Sequence, residues 1–570
     1  MRRAIAVLLC AAVTGASLPA AATVLDTNWT ESVFSINRDA PNDTTGKQHT
    51  GLAWATDGSD RLFVLEKTGR VRILSGALTT TTPVWSTFAT MSPISTTFEC
   101  GLIGMAFDPD FARNHYVYFF VTVSTTEQQI LRYDATTDVG SGRTVIISGL
   151  PTRNANHNGG GVGFAADGKL YWSIGDNGNG TGVDADLTSL AAKMGRANRN
   201  GSIPADNPFV DGAGPNNDYI YARGLRNPFT MQIQPGTGLI WSNVVGTGYE
   251  QVFVVGRGDH AGYNDFENNQ PAGFITPRIV YRTNNTDTRT FAANAVARNN
   301  NIASFATTAA HGFRVGGNIT IAGVTDPTFN GANQYIASVP STTTFTVQQT
   351  GPDASSTGGT AQTLDQGGCL TGGAFYDATQ APADYRGNFF YGDCNSGRIM
   401  RARIDPSSNQ VQTTDYWATN ITAQIDIAQG PDGALYYTGN STNTIFRAAY
   451  NVTAQGLVVA HRNLRLDEGG EAVTFISLAT APVGNVDVSV ARSAGDTDVS
   501  VLTGSTLTFT TANWMRPQVV RLRAAVDADT SEDTATVTVS ATGLADVAVS
   551  VSELDLLTDV SGVFADGFEN

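Results

Sequence analysis

Asn156 to Asn177 reads NHNGGGVGFAADGKLYWSIGDN, and its second half decides the fold. Asp167-Gly168 is a turn pair, Leu170 to Ile174 (LYWSI) is a run of aromatic and β-branched residues, and Gly175-Asp176 ends it. The same phrase recurs in variants: a turn, an aromatic strand, a second turn, then a strand rich in Arg with Ile or Val. It stands at 57–74 (DGSDRLFVLEKTGRVRIL), 115–134 (HYVYFFVTVSTTEQQILRYD), 236–243 (GTGLIWSN), 386–404 (RGNFFYGDCNSGRIMRARI) and 432–450 (DGALYYTGNSTNTIFRAAY). Six short aromatic phrases in one chain predict an all-β protein built on a six-bladed β-propeller. A set of unrelated β-hairpins is the alternative. The first half of the stretch is different. Glycines 159 to 161 let the backbone approach a ligand closely, and His157 is the side chain there that exchanges a proton near neutral pH. The plain alternative for His157 is a surface-turn histidine bonding backbone.

Working outward, the phrase spacing breaks between GTGLIWSN and RGNFFYGD. Residues 285–365 are poor in charge and rich in Thr, Ala and Asn, with alternating strands at 318–321 and 343–348. They read as a small inserted β domain that interrupts a propeller spanning 23–455. HGFRVGGNITIAGVTDPTFNG, within it, resembles a β module of phage tail proteins, and His311 there is expected to be structural. From 456 to 555 six alternating segments, among them AVTFISLA (472–479) and TATVTVSA (534–541), predict a β-sandwich with acidic turns. Its DEGG start and SELD end resemble Calx-β modules, a likeness that implies Ca²⁺ between the turns at one end. Solvated acidic loops are the alternative. Residues 556–570 form a short acidic tail.

The chain has 570 residues and a net charge of −16. Without a basic face it is not expected to bind nucleic acid. Met1-Arg2-Arg3, an apolar run to Ala16 and Ala20-Ala21-Ala22 read as a signal peptide over 1–22, so a periplasmic or secreted protein is expected. No later segment is apolar enough to span a membrane. In an oxidising compartment Cys369 and Cys394, flanking one hairpin region, are the expected disulfide pair, leaving Cys100 buried or free.

Four stretches then read together: ECGLIGMAFDPDFARNHYVYFFVT (99–122), NHNGGGVGFAADGKLYWSIGD (156–176), KMGRANRNGSIPADNPF (193–209) and YARGLRNPFTMQIQPGTGLIWSNVVGTGYEQV (221–252). In this order they resemble the glucose/sorbosone dehydrogenase family, soluble aldose dehydrogenases that use pyrroloquinoline quinone on a six-bladed propeller. The resemblance covers roughly 30–280 and 366–450. It implies a sugar substrate, an external electron acceptor, and hydride transfer from the anomeric carbon to the quinone. His157 matches the general base, Asp176 a carboxylate that orients it or bonds sugar, and Arg226 with Asn227 the donors at the quinone oxygen. It further implies a Ca²⁺ held by main-chain carbonyls, here those of Val245 and Gly246, although Asn243 and Val245 replace the family's acid and glycine.

The departures fall in the last two blades. The quinone carries three carboxylates, and the family meets them with a lysine and an Arg-x-Arg pair. Asp393 and Asn395 stand where the lysine is expected, and Ala423 and Ile425 where the arginines are. Arg398, Arg401 and Lys193 are the candidates to compensate. Each lost charge-assisted bond is worth about 1.5–3 kcal/mol. Two readings stand: an exported quinone-dependent aldose dehydrogenase with an altered cofactor pocket, or a propeller serving as an extracellular glycan- or protein-binding module. A calcium-dependent lactone hydrolase ranks last, for want of an acidic ligand set.

Overall fold

The computed structural model describes residues 23–39, 47–153, 155–178, 182–527 and 531–555. The signal-peptide and tail segments lie outside the described residues. The propeller consists of six antiparallel sheets, taken here from the inner strand outward. Blade 1 is His49–Trp54, Arg61–Glu66, Arg70–Ser75 and Val84–Thr90; blade 2 is Leu102–Phe107, Tyr116–Thr122, Glu127–Asp134 and Ser141–Pro151. Blade 3 is Val162–Phe164, Leu170–Ile174, Lys193–Ala197 and Ile220–Arg223; blade 4 is Pro228–Ile233, Ile240–Val244, Tyr249–Val255 and Ile279–Arg282. Blade 5 is Leu370–Phe375, Phe389–Asp393, Arg398–Ile404 and Val411–Thr419, edged by Thr23–Val24. Blade 6 takes three strands from the end of the propeller (Gln424–Gln429, Leu435–Gly439, Thr444–Tyr450) and its outer strand, Trp29–Ile36, from the beginning. The six inner strands touch in a closed ring, each against the next, with blade 6 returning to blade 1. That closure leaves no free inner edge.

The recurring phrase has a physical cause. In blade 3 the Asp167 carboxylate accepts from Lys169 N (3.1 Å), closing an Asx turn around Gly168, which sits at φ 66°. The other carboxylate oxygen accepts from the Tyr171 hydroxyl (2.8 Å) and from Arg196 on the paired strand (2.7 Å). Blade 6 repeats the device with Asp432, Tyr436 and Arg447 around Gly433. The turn aspartate, the strand aromatic and the Arg of the next strand are therefore one hydrogen-bonded unit. The aromatics fill the gaps between blades: Trp172, Trp241 and Trp417 are fully buried.

Antiparallel blades place the blade-to-blade connections and the second hairpin of every blade on one face, here called upper. The first and third hairpins open on the lower face. The insertion leaves the upper face between blades 4 and 5 as its own seven-stranded sheet system around Phe291, Phe305, Phe329 and Phe345. It fastens to the outer strand of blade 5, where Asp415 accepts from Asn318 (3.0 Å) and the Tyr335 hydroxyl (2.5 Å). His311 is buried there and bonds backbone, with Nδ1 accepting from Phe313 N (2.9 Å).

The C-terminal sandwich pairs a four-stranded with a five-stranded sheet over one apolar core. It docks on the lower face. Arg199 of blade 3 bonds Asp467 (2.8 Å), Arg521 reaches the carbonyls of Asp57 and Ala112, and Asp377 of blade 5 accepts from Arg462 N (2.6 Å) and Asn463. Above this floor a cavity of about 600 Å³ is lined by the inner strands of all six blades and closed below by His461, Asn463 and Phe475. Among the described residues no group of three or more His, Cys, Asp or Glu side chains is set to hold a metal ion, the acidic turns of the sandwich included. No helix is long and apolar enough to cross a membrane.

Candidate functional site

The upper face gathers His157, Asp176, Arg226 and Asn227 from two blade connections and one hairpin. His157 Nδ1 lies 2.6 Å from Asp176 Oδ1. The Nδ1–H donates to the carboxylate, which leaves the basic lone pair on Nε2. Burial works against a charge on Asp176. The hydrogen bonds from His157, Gly178 N and the Tyr263 hydroxyl outweigh it and hold the carboxyl below its usual range. Asn227 accepts from Gly159 N (3.2 Å) and so ties the arginine loop to the histidine loop.

Two acids that sequence reasoning left without a role hold this arrangement. Glu99 Oε2 accepts from His157 N (2.8 Å), Asn158 N (3.3 Å) and Asn227 Nδ2 (3.1 Å). Glu267 accepts from Thr247 N (2.5 Å) and Gly248 N (2.6 Å) and stands 3.9 Å from Arg226 Nε. Glu99 lies inside the ECGLIGMAFDPDF stretch, so its position was visible but its partners were not. Tyr263 and Glu267 arrive on the connection 256–278 of blade 4, which no spacing argument links to His157.

The backbone here is unusual. Phe98, Ala155, His157 and Asn177 all have positive φ (47°, 60°, 55° and 55°), a region that side chains other than Gly seldom enter. They are mutually braced: Glu99 N donates to Ala155 O (3.1 Å) and Asn177 N to His157 O (3.4 Å). Gly175 packs so closely beneath His157 O that a Cβ would sit 2.3 Å from it. Non-glycine residues held in left-handed conformations cluster at functional sites.

The model built from the glucose/sorbosone dehydrogenase family matches residues 47–290. Those residues belong to that family. The match carries blades 1 to 4, with His157, Asp176 and Arg226, and ends as the insertion begins. Quinoprotein glucose dehydrogenase B of Acinetobacter calcoaceticus is 29% identical over 192 residues, 29% of this chain and 39% of that protein. Aldose sugar dehydrogenase YliI of Escherichia coli is 28% identical over 176 residues, 29% of this chain and 46% of that protein. The chain thus spans less than half the length of either relative. Among solved structures, a glucose dehydrogenase superposes with a TM-score of 0.50 at 17% identity, covering 75% of this chain and 99% of the other, which supports the propeller fold.

The glucose/sorbosone dehydrogenase domain fits one end of a quinone better than the other. At the reactive end, Arg226 Nε is buried without an acceptor, and its Nη1 donates to Val245 O (2.9 Å). Val245, one of the two carbonyls matched to calcium, already faces this guanidinium, and Gly246 lies in the tight hairpin before Glu250. Burial pushes the Glu250 carboxyl up to about 7. At the carboxylate end the cations are missing. Asp393 is fully buried and accepts from Cys369 N, Asn395 N, Ser396 N and the Tyr281 hydroxyl. Asn395 bonds Gly368 O (3.1 Å), and Ile425 is buried.

None of the three compensating candidates reaches the site. Lys193 is buried with Nζ on Val183 O (2.7 Å) and Ala191 O (2.9 Å), and burial pushes its ammonium down to about 8. Arg398 turns to Asp365 and stacks on Tyr416. Arg401 turns to Asp384 on the lower face and stacks on Tyr385. The expected disulfide is present: Cys369 and Cys394 are joined, and Cys100 is buried and free.

Proposed function

We propose that the protein is an exported oxidoreductase of the sugar dehydrogenase type, oxidising the anomeric C–OH of an aldose to a lactone with pyrroloquinoline quinone as cofactor. The observation that carries this reading is the 2.6 Å pair of His157 and Asp176, tied through Asn227 to the Arg226 loop. His157 Nε2 accepts the proton of the anomeric hydroxyl, and the Asp176 carboxylate stabilises the imidazolium that forms. Arg226 and Asn227 hold polar oxygens of the bound molecules in register with that base. Glu99 keeps both loops in place. Pyrroloquinoline quinone, when bound, supplies the two-electron acceptor for the anomeric hydride. The carbonyls matched to calcium, Val245 and Gly246, fit that ion poorly, since Val245 O already accepts from the Arg226 guanidinium. The bare carboxylate end of the pocket supports weak quinone affinity.

The second reading, a glycan- or protein-binding propeller, is favoured by the same missing cations. Titration of metal-stripped protein with the quinone, with and without Ca²⁺, separates the two. Calcium-dependent micromolar binding, with aldose-driven dye reduction that His157→Ala abolishes, supports the dehydrogenase. No binding at millimolar calcium rejects it.

A further inference from the structure

Phe98 stands on the upper face next to the site and is 74% exposed. An isolated exposed apolar residue needs no explanation. Its backbone does. Cys100 N donates to Thr97 O (2.9 Å), so Phe98 is the second residue of a four-residue turn, at φ 47°, where Gly is favoured. The chain spends backbone strain to display a large aromatic ring in water. The backbone beneath the ring is held: Lys67 Nζ donates to the Phe98 carbonyl, and the next residue, Glu99, accepts from His157 N and Asn227. The backbone that carries the ring is therefore tied to the same carboxylate that holds the proposed base.

We propose that Phe98 is a sugar-stacking platform at the mouth of the site, taking the C–H face of a pyranose whose anomeric end points to His157. The face of an aromatic ring is negative and attracts the weakly positive C–H edges of a sugar, while hydroxyl groups at the rim stay solvated. A flat apolar surface selects a ring over an open-chain polyol. The inference rests on the sugar-oxidising reading for the direction of the anomeric carbon, but the stacking itself needs no quinone.

The test is ligand-observed saturation-transfer NMR on the full chain without quinone, with glucose, galactose, maltose and cellobiose. Phe98→Ala and Phe98→Gly should each weaken binding of the best of these sugars by about tenfold, the loss expected for uncovering one aromatic face. Phe98→Tyr should stay within about twofold. Phe98→Gly should melt no lower than the parent, because glycine accepts the turn, so lost binding cannot be blamed on lost folding. Wild-type protein that binds none of the four sugars overturns the platform, as does Phe98→Ala binding them unchanged. A change of sedimentation in Phe98→Ala with sugar binding intact assigns the ring to protein docking and overturns it too. Dye reduction by quinone-loaded protein is read separately: its absence with stacking intact sinks the dehydrogenase reading and leaves the platform standing.

Discussion

His157 gives its Nδ1 proton to Asp176 across 2.6 Å, and its own backbone N–H to Glu99 across 2.8 Å. One residue is thus oriented at both ends by carboxylates, one from the connection between blades 1 and 2 and one from a hairpin of blade 3. Asp176→Asn replaces the acceptor that sets the tautomer, so turnover should fall by about 10²–10⁴ with the fold kept. Steady-state dye reduction with its pH profile checks this. An unchanged kcat and profile would remove the pair from the mechanism.

The pocket lacks cations at blade 5, where Asn395 is half of the substituted pair. Asn395→Lys should tighten pyrroloquinoline quinone binding by roughly tenfold, the effect of one added charge-assisted bond. The quinone absorbance shift during titration measures it. Equal affinity in parent and variant would mean that the cofactor, if held, is held elsewhere.

The sandwich is fastened to the propeller by Arg199, which pairs with Asp467 at 2.8 Å and Asp108 at 3.3 Å. Asp467 is 4% exposed. Arg199→Ala leaves two buried carboxylates facing each other and should cost about 3 kcal/mol. Thermal denaturation should show a lower midpoint, and limited proteolysis should free the sandwich first.

The bond between Cys369 and Cys394 closes a loop with a sequence separation of 25. Constraining such a loop in the unfolded chain is worth about 3 kcal/mol. The Cys369→Ser and Cys394→Ser double variant should lose that much in denaturant unfolding.

Glu553 is 4% exposed, and among the described residues neither of its carboxylate oxygens meets a hydrogen-bond donor. Burial and the neighbouring Asp496, then Asp527 and Asp498, push its carboxyl up to about 8. The folded state therefore keeps a proton that the unfolded chain loses near 4.5. Its contribution is most favourable below that value and declines as pH rises toward 8. Glu553→Gln, which mimics the protonated acid, should gain on the parent in melting temperature across pH 5 to 9. A gap between the two that does not change with pH would contradict the shift.

The blade phrase was legible because it is local. Asp167, Tyr171 and Arg196 lie within one sheet, and the hydrogen-bonded unit they form follows from strand pairing alone. The His157 and Asp176 pair was legible for a similar reason, being separated by a single hairpin, two strands and one turn. The compensating role considered for Lys193, Arg398 and Arg401 was not decidable, because each cation's direction depends on which carbonyl or ring its neighbours present. Tyr263 and Glu267 were invisible as site residues because the connection that carries them folds back across the top of two blades.

By itself the sequence determined the repeat, the six aromatic strands, the histidine loop and the absence of family cations at Asp393, Asn395, Ala423 and Ile425, since these depend on residue type and short spacing. Tertiary structure decided the rest: that Glu99 joins the histidine and arginine loops, that Arg226 turns to Val245, and that the sandwich closes the lower face. Those outcomes depend on how the blades pack side by side, which brings Glu99 within hydrogen-bond reach of His157, 58 positions on, and of Asn227, 128 positions on, and no local pattern in the chain encodes that.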